Sequence, residues 1–414
     1  MKNRGVLRFV TAGSVDDGKS TLIGRLLYDS RAIQEDQLAA VERASLRRGA
    51  GALDLSLLTD GLEAEREQRI TSDVAYRYFA TARRKFIIAD APGHEQYTRN
   101  MATGASNADA ALLLVDVRKR LVAQTRRHLL LARLLGVRHA IAFVNKMDLV
   151  GYSQGIFEGV RDELRSFAGP LGFDTLDILP GSALNGDMVV ERGAALGWYR
   201  GPALLERLEG LETGAEKVAA GPLRFPVQLV SRPQPGAARG YMGRIESGCA
   251  LAGDAVLVLP AGRRTRIREI LAHDGRREMA AAGDSVTLVL ADDIDIARGD
   301  LIAGPTSIPR VARALEARLV WLDPEPLRPG GRYVLQQATR RTPARVAEVR
   351  ARLDVDTLQE RPANGAVVAN DIVRARLALH APVFADSYEA VKATGALILI
   401  DEATHRTVAA GMIE

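Results

Sequence analysis

Eight residues near the amino terminus have the types and spacing that bind a polyphosphate. Gly13 to Ser20 read Gly-Ser-Val-Asp-Asp-Gly-Lys-Ser, a complete G-x-x-x-x-G-K-[ST] element. An apolar run, Val6 to Val10, precedes it and a helix-like run, Thr21 to Leu27, follows it, which is the context that the motif requires. Glycines let backbone N–H groups turn toward phosphate oxygens, a lysine reaches the outer phosphates, and a serine hydroxyl can bind Mg²⁺. The element therefore predicts a nucleoside triphosphate site.

Two further motifs follow predicted buried strands and complete the set that a GTPase requires. Lys85 to Ala89 reads as a strand that ends in Asp90-Ala91-Pro92-Gly93, where a carboxylate can hold Mg²⁺ through water and a glycine N–H can meet the γ-phosphate. Ala140 to Val144 runs into Asn145-Lys146-Met147-Asp148, whose carboxylate can accept the guanine N1–H and N2–H₂. Adenine offers no matching donors, so the pattern favours GTP over ATP.

Each of these motifs has a simpler explanation when it is taken alone. A glycine-rich turn, Asp-x-x-Gly and Asn-Lys-x-Asp are short enough to recur by chance in 414 residues, and their order and strand context favour the GTPase interpretation. Ser182-Ala183-Leu184 follows the apolar residues Ile178 to Pro180 and alone indicates only a surface turn. Together with the other motifs, it predicts a further part of the guanine pocket.

Composition and charge are typical of a multidomain cytoplasmic protein. The chain is 47% hydrophobic and 26% charged, which suffices for two or three cores. We expect no signal peptide and no membrane anchor, because Arg8 interrupts the first apolar stretch and no run reaches the length of a membrane span. The net charge of +5 comes from 49 arginines and seven lysines with acidic residues interleaved, so clusters such as Arg83-Arg84-Lys85 indicate solvated faces rather than a nucleic-acid surface. The single cysteine, Cys249, is expected to be a buried apolar residue or an inert loop thiol.

The pattern of predicted elements changes near residue 212. Before it, strand-like runs alternate with helical patterns such as Gln124 to Leu135 and Phe157 to Phe167, which is typical of a mostly parallel sheet. After it, short β-rich segments are divided by glycine, proline and aspartate, in one series from Leu223 to Ala291 and a second from about Arg313 to Glu414. We predict an α/β P-loop GTPase domain at 1–212 and two antiparallel β-barrel domains at 222–305 and 311–414.

Longer segments resemble the large GTPase subunit of bacterial ATP sulfurylase, within the translation-factor GTPase superfamily. They are Gly13 to Leu27, Asp60 to Gln68, Asp73 to Phe79, Gly93 to Ser106, Phe225 to Gln228, Arg298 to Leu301 and Thr407 to Ile413. The resemblance implies a G domain followed by two β-barrels. It also implies an enzyme that hydrolyses GTP to drive formation of adenosine 5′-phosphosulfate and diphosphate from ATP and sulfate, with GTP and Mg²⁺ as cofactors.

The resemblance implies roles for single residues. Lys19 neutralises charge on the β- and γ-phosphates, Ser20 and Thr71 ligate Mg²⁺, and Asp90 acts through a metal-bound water. His94 resembles the residue that orients the attacking water, so Lys19 and His94 are the predicted catalytic residues. The predicted nucleotide contacts are Gly13, Ser14, Val15, Asp16, Asp17, Gly18, Lys19, Ser20, Thr21, Asp90, Ala91, Pro92, Gly93, His94, Asn145, Lys146, Met147, Asp148, Ser182, Ala183 and Leu184.

The resemblance also implies a partner. Among the seven lysines only Lys19 is followed by Ser or Thr, so we expect no second phosphate loop and no fused adenylylsulfate kinase. The sequence contains neither a Ser-Gly-Gly-x-Asp-Ser loop nor a His-x-x-His signature, which would bind the ATP to be adenylylated. We therefore expect that ATP to bind a separate small adenylyltransferase subunit, in a heterodimer or a larger assembly.

Two alternatives from other functional classes stay open at this point. A translation factor of the elongation factor Tu class, which binds tRNA, has the same plan, but such factors usually read Gly-His-Val-Asp-His-Gly-Lys-Thr where this chain has Ser14, Asp17 and Ser20. A stand-alone GTP-gated switch is the second alternative. The chain also has Arg69 and Arg120 where the resembled family has glycines. We predict that the Arg69 side chain hinders closure over the nucleotide. The alternative is that its guanidinium lies beside the γ-phosphate and stabilises transition-state charge, as an arginine finger does.

Overall fold

The computed structural model of the chain describes residues 5–33, 35–47, 53–58, 74–92, 98–232, 238–328 and 330–414. The chain divides into two compact units, 1–213 and 214–414. The first unit alternates strands and helices, whereas the second is almost entirely strand. Within the described part of the chain, no helix has both the length and the apolar composition needed to cross a membrane.

A six-stranded sheet forms the centre of the first unit. Its strands are β1 (Val6–Gly13), β2 (Ala75–Ala80), β3 (Lys85–Asp90), β4 (Ala110–Asp116), β5 (His139–Asn145) and β6 (Thr175–Pro180). Their order in the sheet is β2-β3-β1-β4-β5-β6, and all are parallel except β2, which pairs antiparallel with β3 at one edge. Every residue of β4 and β5 is buried, which explains their unbroken apolar runs, because both faces of such a sheet are covered.

Helices connect these strands. They are α1 (Lys19–Asp29), α2 (Glu35–Arg47), α3 (Thr98–Ser106), α4 (Ala123–Leu134), α5 (Gln154–Ala168) and α6 (Leu204–Gly210). Helix α5 begins at a serine cap, since the Ser153 side chain accepts a hydrogen bond from the backbone N–H of Ile156. It buries one apolar face at helical spacing, made of Phe157, Val160, Leu164 and Phe167.

Arg84 does not lie on a solvated face, although the charged run Arg83-Arg84-Lys85 predicts one. Its side chain is buried, and its Nη1 donates to the backbone oxygens of Leu208, Glu209 and Leu211. These carbonyls lie at the carboxyl end of α6, where a helix leaves its last acceptors without helical partners. The arginine therefore holds the end of this helix to the turn between β2 and β3.

The first part of the second unit is a closed antiparallel barrel that follows the short helix α7 (Ala215–Ala219). Its strands are β7 (Arg224–Ser231), β8 (Gly240–Arg244), β9 (Cys249–Leu251), β10 (Ala255–Leu259), β11 (Arg263–Ala272), β12 (Gly275–Arg277), β13 (Met279–Ala281), β14 (Ser285–Leu290) and β15 (Leu301–Ala303). Six of them follow the order β10-β15-β7-β8-β14-β11, and β11 pairs again with β10. Closure of this ring satisfies the strand edges that an open sheet would expose.

The second part of this unit is another closed barrel, in which six of seven strands form the ring. Its strands, with one short helix α8 (Lys392–Gly395), are β16 (Arg310–Trp321), β17 (Arg332–Gln337), β18 (Arg340–Leu353), β19 (Glu360–Pro362), β20 (Ile372–Ala385), β21 (Ala396–Asp401) and β22 (Thr407–Ile413). The ring runs β17-β21-β22-β16-β20-β18 and closes through β17 and β18. Arg224 of the first barrel is buried and forms a bidentate ion pair with Asp386, at 2.7 and 2.8 Å.

The predicted fold class is confirmed: an α/β GTPase-type domain is followed by two antiparallel barrels. The limits 1–212, 222–305 and 311–414 stay predictions. Strand β2 was not predicted, because it lies at a sheet edge and only Phe79 of its six residues is buried, so it has no continuous apolar run. Cys249 is exposed and lies on strand β9, which corrects the expectation of a buried residue or a loop thiol.

Candidate nucleotide-binding site

The predicted motifs meet at one edge of the first sheet. Residues at the ends of parallel strands lie side by side: Thr11 is in register with Asp90, Gly13 with Leu114, and Asp116 with Asn145. Because the carboxyl ends of parallel strands point the same way, the loops that follow them share one crevice, and this is where open α/β sheets bind ligands. The strand-end residues therefore form one candidate site.

The phosphate loop joins β1 to α1 and wraps around Lys19. Gly18 has a φ of +94°, and a Cβ there would lie 2.5 Å from the Asn145 side-chain nitrogen, so both conformation and space require glycine. The Lys19 Nζ lies 3.2 Å from the Gly13 oxygen and 3.4 Å from the Ser14 oxygen and donates to both. Burial lowers the pKa of Lys19, while the nearby carboxylates of Asp90 and Asp17 oppose that shift. The ammonium group is thus held inside the loop, where phosphate oxygens would bind.

Asp17, a position where translation factors usually have histidine, has a structural role in the loop. It is buried, and its Oδ2 accepts a hydrogen bond from the Ser14 N–H at 2.8 Å. Burial raises the pKa of Asp17 despite the opposing effects of that hydrogen bond and of Lys119. The Lys119 Nζ lies 3.5 Å from Asp17 Oδ1 and donates to the Val15 oxygen at 3.0 Å. A lysine that follows β4 therefore compensates a carboxylate within the phosphate loop.

The residues expected to bind Mg²⁺ are described only in part. Asp90 is buried at the end of β3, and its Oδ1 accepts from the Thr11 hydroxyl at 2.8 Å. Carboxylate and hydroxyl oxygens are the ligands that Mg²⁺ prefers, so Asp90 and Ser20 fit the ion by their chemistry. Thr71, Gly93 and His94, together with Arg69, lie outside the described residues, and their predicted roles stay predictions.

Asn145 connects the phosphate loop to the loop after β6. Its Nδ2 donates to the Asp17 oxygen at 2.7 Å, and its Oδ1 accepts from the Ala183 N–H at 2.9 Å. Lys146 lies in the left-handed region with a φ of +65°, donates to the Asp16 oxygen, and pairs with Asp116 at 3.0 Å. These contacts bring the loops predicted to bind phosphate and base into one connected structure.

Asp148 has the property that a base-recognising carboxylate needs. Its Oδ1 is buried and has no hydrogen-bond partner within the described residues. A buried carboxylate oxygen without a partner is costly, so a ligand with N–H donors stabilises it. Ser182 and Ala183 are buried nearby in the loop after β6, whereas the Leu184 side chain is 62% exposed and its backbone oxygen accepts from Arg25 at 2.6 Å.

Several residues that shape the site were not predicted from the sequence. Asp116 ends β4 and is fully buried at its carboxylate, with Arg118 and Lys146 as partners. Burial alone would raise the pKa of Asp116, but the hydrogen bonds from Arg118 and Lys146 outweigh it and hold that pKa well below its usual range. A signal existed, because Asp116 directly follows the apolar run from Ala111 to Val115, just as Asp90 and Asn145 follow theirs.

Arg120 adopts the backbone conformation that the expected glycine would favour. Its φ is +58°, a left-handed conformation that costs a non-glycine residue about 1 kcal/mol. Its guanidinium pairs with Glu163 at 3.1 Å and donates to the Gly159 oxygen at 3.3 Å, both on α5. The side chain therefore supplies a contact that glycine cannot make, which offsets part of the backbone cost.

A buried histidine lies on α4 beside the phosphate loop. His128 is fully buried, and its Nε2 lies 2.9 Å from the Gln124 Nε2. Burial lowers the pKa of His128 to about 3, with smaller contributions from the charges of Lys19 and Arg127. Above about pH 3 the imidazole is therefore neutral in the folded chain, whereas the unfolded chain already binds a proton there below about pH 6.5.

This difference predicts a pH-dependent stability. Between about pH 6.5 and pH 3 the unfolded state binds one more proton at His128 than the folded state, so stability falls as the pH falls. The group should contribute a loss of about 2 kcal/mol between pH 7 and pH 5. We expect His128→Gln to remove this part of the slope, measured by amide hydrogen exchange of α4. The control is His273→Gln, which replaces an exposed histidine. An equal dependence of stability on pH in the two variants would contradict the assignment.

Comparisons with known proteins agree with this geometry. A family model described as the elongation factor Tu GTP binding domain matches residues 4–216, and one described as GTP-eEF1A C-terminal domain-like matches residues 314–414. The chain is 49% identical over 415 residues to sulfate adenylyltransferase subunit 1 of Chromobacterium violaceum, and the match covers 100% of this chain and 86% of that protein. The chain belongs to the sulfate adenylyltransferase subunit 1 family. The same identity and coverage relate it to the Laribacter hongkongensis member.

Other members of the family are longer proteins. The chain is 47% identical over 414 residues to the bifunctional enzyme NodQ of Rhizobium sp. strain N33, and it spans 64% of that protein's length. The similarity to subunit 1 proteins along the whole chain supports the sulfate adenylyltransferase interpretation over the translation-factor alternative. Guanine nucleotide binding follows from the GTPase domain.

Proposed function

We propose that this chain is the GTPase subunit of a sulfate adenylyltransferase, and that it couples GTP hydrolysis to the formation of adenosine 5′-phosphosulfate and diphosphate from ATP and sulfate. The observation that carries the proposal is the 49% identity to subunit 1 proteins over the full chain, combined with a complete phosphate loop at the same end of the sheet as the unpaired Asp148 oxygen. Its setting would be the cytoplasm, where GTP and ATP are available together.

The roles of the residues follow from their geometry. The half-buried Lys19 ammonium would exchange its two backbone acceptors, the Gly13 and Ser14 oxygens, for β- and γ-phosphate oxygens. The backbone N–H groups of the loop and of the first turn of α1 would surround the same oxygens. Asp148 would accept the N1–H and N2–H₂ of guanine. The loop from Ser182 to Leu184 would close the base pocket, held by Asn145.

Ser20 and Asp90 would hold Mg²⁺, with Thr71 as the further predicted ligand. Mg²⁺ held by these residues would supply positive charge that neutralises the negative charge developing on the phosphates during hydrolysis. The Thr11 hydroxyl holds one oxygen of the Asp90 carboxylate at the end of β3. His94 would orient the attacking water, as the resemblance predicts.

A separate adenylyltransferase subunit would bind the ATP and sulfate. The relatives are named as subunit 1 of their enzyme, which points to an assembly of more than one chain. The sequence itself contains one phosphate loop and no adenylyltransferase signature. GTP hydrolysis on this chain would then drive a reaction that occurs on its partner.

Copurification tests this assignment against the alternatives. When the tagged chain is isolated from its host with GTP and Mg²⁺ present, we expect one smaller protein that binds ATP in stoichiometric amount. Recovery of aminoacyl-tRNA instead would favour an elongation factor. Recovery of neither, from both nucleotide-loaded and nucleotide-free chain, would favour a stand-alone switch and overturn the proposal.

A further inference from the structure

A tyrosine connects the two segments that form the proposed base pocket, the turn that carries Asp148 and the loop after β6. Tyr152 lies four residues after Asp148, and its backbone N–H donates to the Met147 oxygen at 2.9 Å. Its side-chain hydroxyl donates to Asp187 Oδ2 at 2.6 Å, and the Asn185 Nδ2 donates to the same hydroxyl at 3.0 Å. The residue therefore contacts the turn that carries Asp148 through its backbone and the loop after β6 through its side chain.

Asp187 and Asn185 belong to the segment that follows the predicted base contacts. The Ser182 N–H donates to the Asp187 oxygen at 3.2 Å, and the Gly186 N–H returns to the Ser182 oxygen at 2.8 Å. The Asn185 N–H lies 3.3 Å from the Ser182 hydroxyl oxygen. Any shift of Asp187 would therefore move Ser182 and the adjoining Ala183, which Asn145 contacts.

The backbone conformation of Tyr152 is unfavourable and is stabilised by contacts with neighbouring residues. Its φ is +54°, a left-handed conformation that side chains rarely adopt without compensation. The indole N–H of Trp198 donates to the Tyr152 oxygen at 2.9 Å. Burial raises the pKa of Tyr152, and the hydrogen bond to Asp187 adds to the rise, so the hydroxyl keeps its proton as a donor.

We infer that Tyr152 is a positioning residue for guanine recognition, which sets the distance between the Asp148 turn and the loop from Ser182 to Asp187. The inference rests on the proposed base pocket. It assigns no contact between Tyr152 and the nucleotide. Loss of the hydroxyl would leave Asp187 Oδ2 and the Asn185 amide without this partner, and the loop would no longer be fixed against the turn.

Tyr152→Phe tests the inference, because it removes the hydroxyl and keeps the ring. We expect GDP affinity to fall about tenfold and discrimination between GDP and IDP to fall at least threefold. IDP lacks the N2 amino group that would donate to Asp148, so the ratio of the two affinities depends on the position of that carboxylate. A purely structural role would lower the melting temperature without changing that ratio. Tyr199→Phe is the matched control, because the Tyr199 ring packs near Trp198 and its hydroxyl makes no hydrogen bond to any described residue.

Asp187→Asn keeps the inference testable if Tyr152→Phe folds poorly. Asparagine retains an acceptor oxygen for the tyrosine hydroxyl, so we expect near-normal discrimination, whereas Asp187→Ala should reproduce the Tyr152→Phe effect. The double variant Tyr152→Phe with Asp187→Ala should be no worse than either single variant. An unchanged ratio of GDP to IDP affinity in Tyr152→Phe and Asp187→Ala would overturn the inference. Absence of guanine selectivity in the unaltered chain would instead overturn the base pocket itself.

Discussion

Replacing Lys19 by methionine should lower the rate of single-turnover GTP hydrolysis by about 10²–10³-fold. The ammonium group is half-buried in the phosphate loop and is positioned there by two backbone oxygens, which no other lysine of the described residues contacts. Methionine fills a similar volume but leaves the β- and γ-phosphate charge without its nearest protein cation. The carboxylates of Asp90 and Asp17, which oppose the fall in the Lys19 pKa, would then repel the phosphates.

The rate should be measured by rapid quench with enzyme in excess over GTP, so that product release does not limit it. Lys217→Met, which removes an exposed lysine of the second unit, is the matched control and should leave the rate unchanged. A Lys19→Met rate within threefold of the unaltered chain would show that hydrolysis does not use this loop.

Replacing Asp148 by asparagine should change which base the chain prefers. Asparagine presents an amide donor where the carboxylate accepted the guanine N2–H₂, and xanthine has a carbonyl at that place. GTP binding should weaken by about 1–3 kcal/mol, which corresponds to roughly 5- to 150-fold, and xanthosine triphosphate should bind better than it does to the unaltered chain.

The assignment of Asp148 rests on its buried oxygen, which has no hydrogen-bond partner within the described residues. Asp162→Asn on α5 is the matched control, since that carboxylate is 65% exposed and pairs with the neighbouring Arg161. Competition binding with GTP, xanthosine triphosphate and ATP measures the preference. Unchanged selectivity for GTP in Asp148→Asn would contradict the assignment.

The position of the site could be predicted from the sequence because it depends on strand ends. The motifs at Asp90 and Asn145 each follow an unbroken apolar run, and a parallel sheet places such ends at one edge. The phosphate loop adds its own signature between β1 and α1. These are local patterns, and local patterns are what a single sequence displays.

The residues that hold the loops together could not be predicted in this way. Lys119 reaches Val15 across about a hundred positions of sequence, and Arg84 reaches Leu211 across a similar distance. Their charge predicts exposure, and only the folded chain shows which carbonyl or carboxylate lies within reach. Tyr152 belongs to the same class, because its hydroxyl acquires a role only when the loop after β6 is placed beside it.

Prediction of the two barrels from the sequence was limited for a related reason. Short strands such as β12 and β13 have three residues each, too few to establish an alternating pattern. The sequence indicated a β-rich series across the second barrel but not the full extent of its long strands, such as β18. Each ring also contains pairs of strands that lie far apart in sequence, such as β7 with β15 and β17 with β21.

The central claim is that GTP hydrolysis on this chain drives adenylyl transfer on a partner. The most direct measurement is adenosine 5′-phosphosulfate formed from ATP and radiolabelled sulfate by the chain alone, by the small subunit alone, and by the two together with and without GTP. We expect no product from the chain alone, and from the reconstituted pair an amount that rises with the GTP hydrolysed in the same sample. Product from the isolated chain, or a yield from the pair that GTP does not change, would contradict the account.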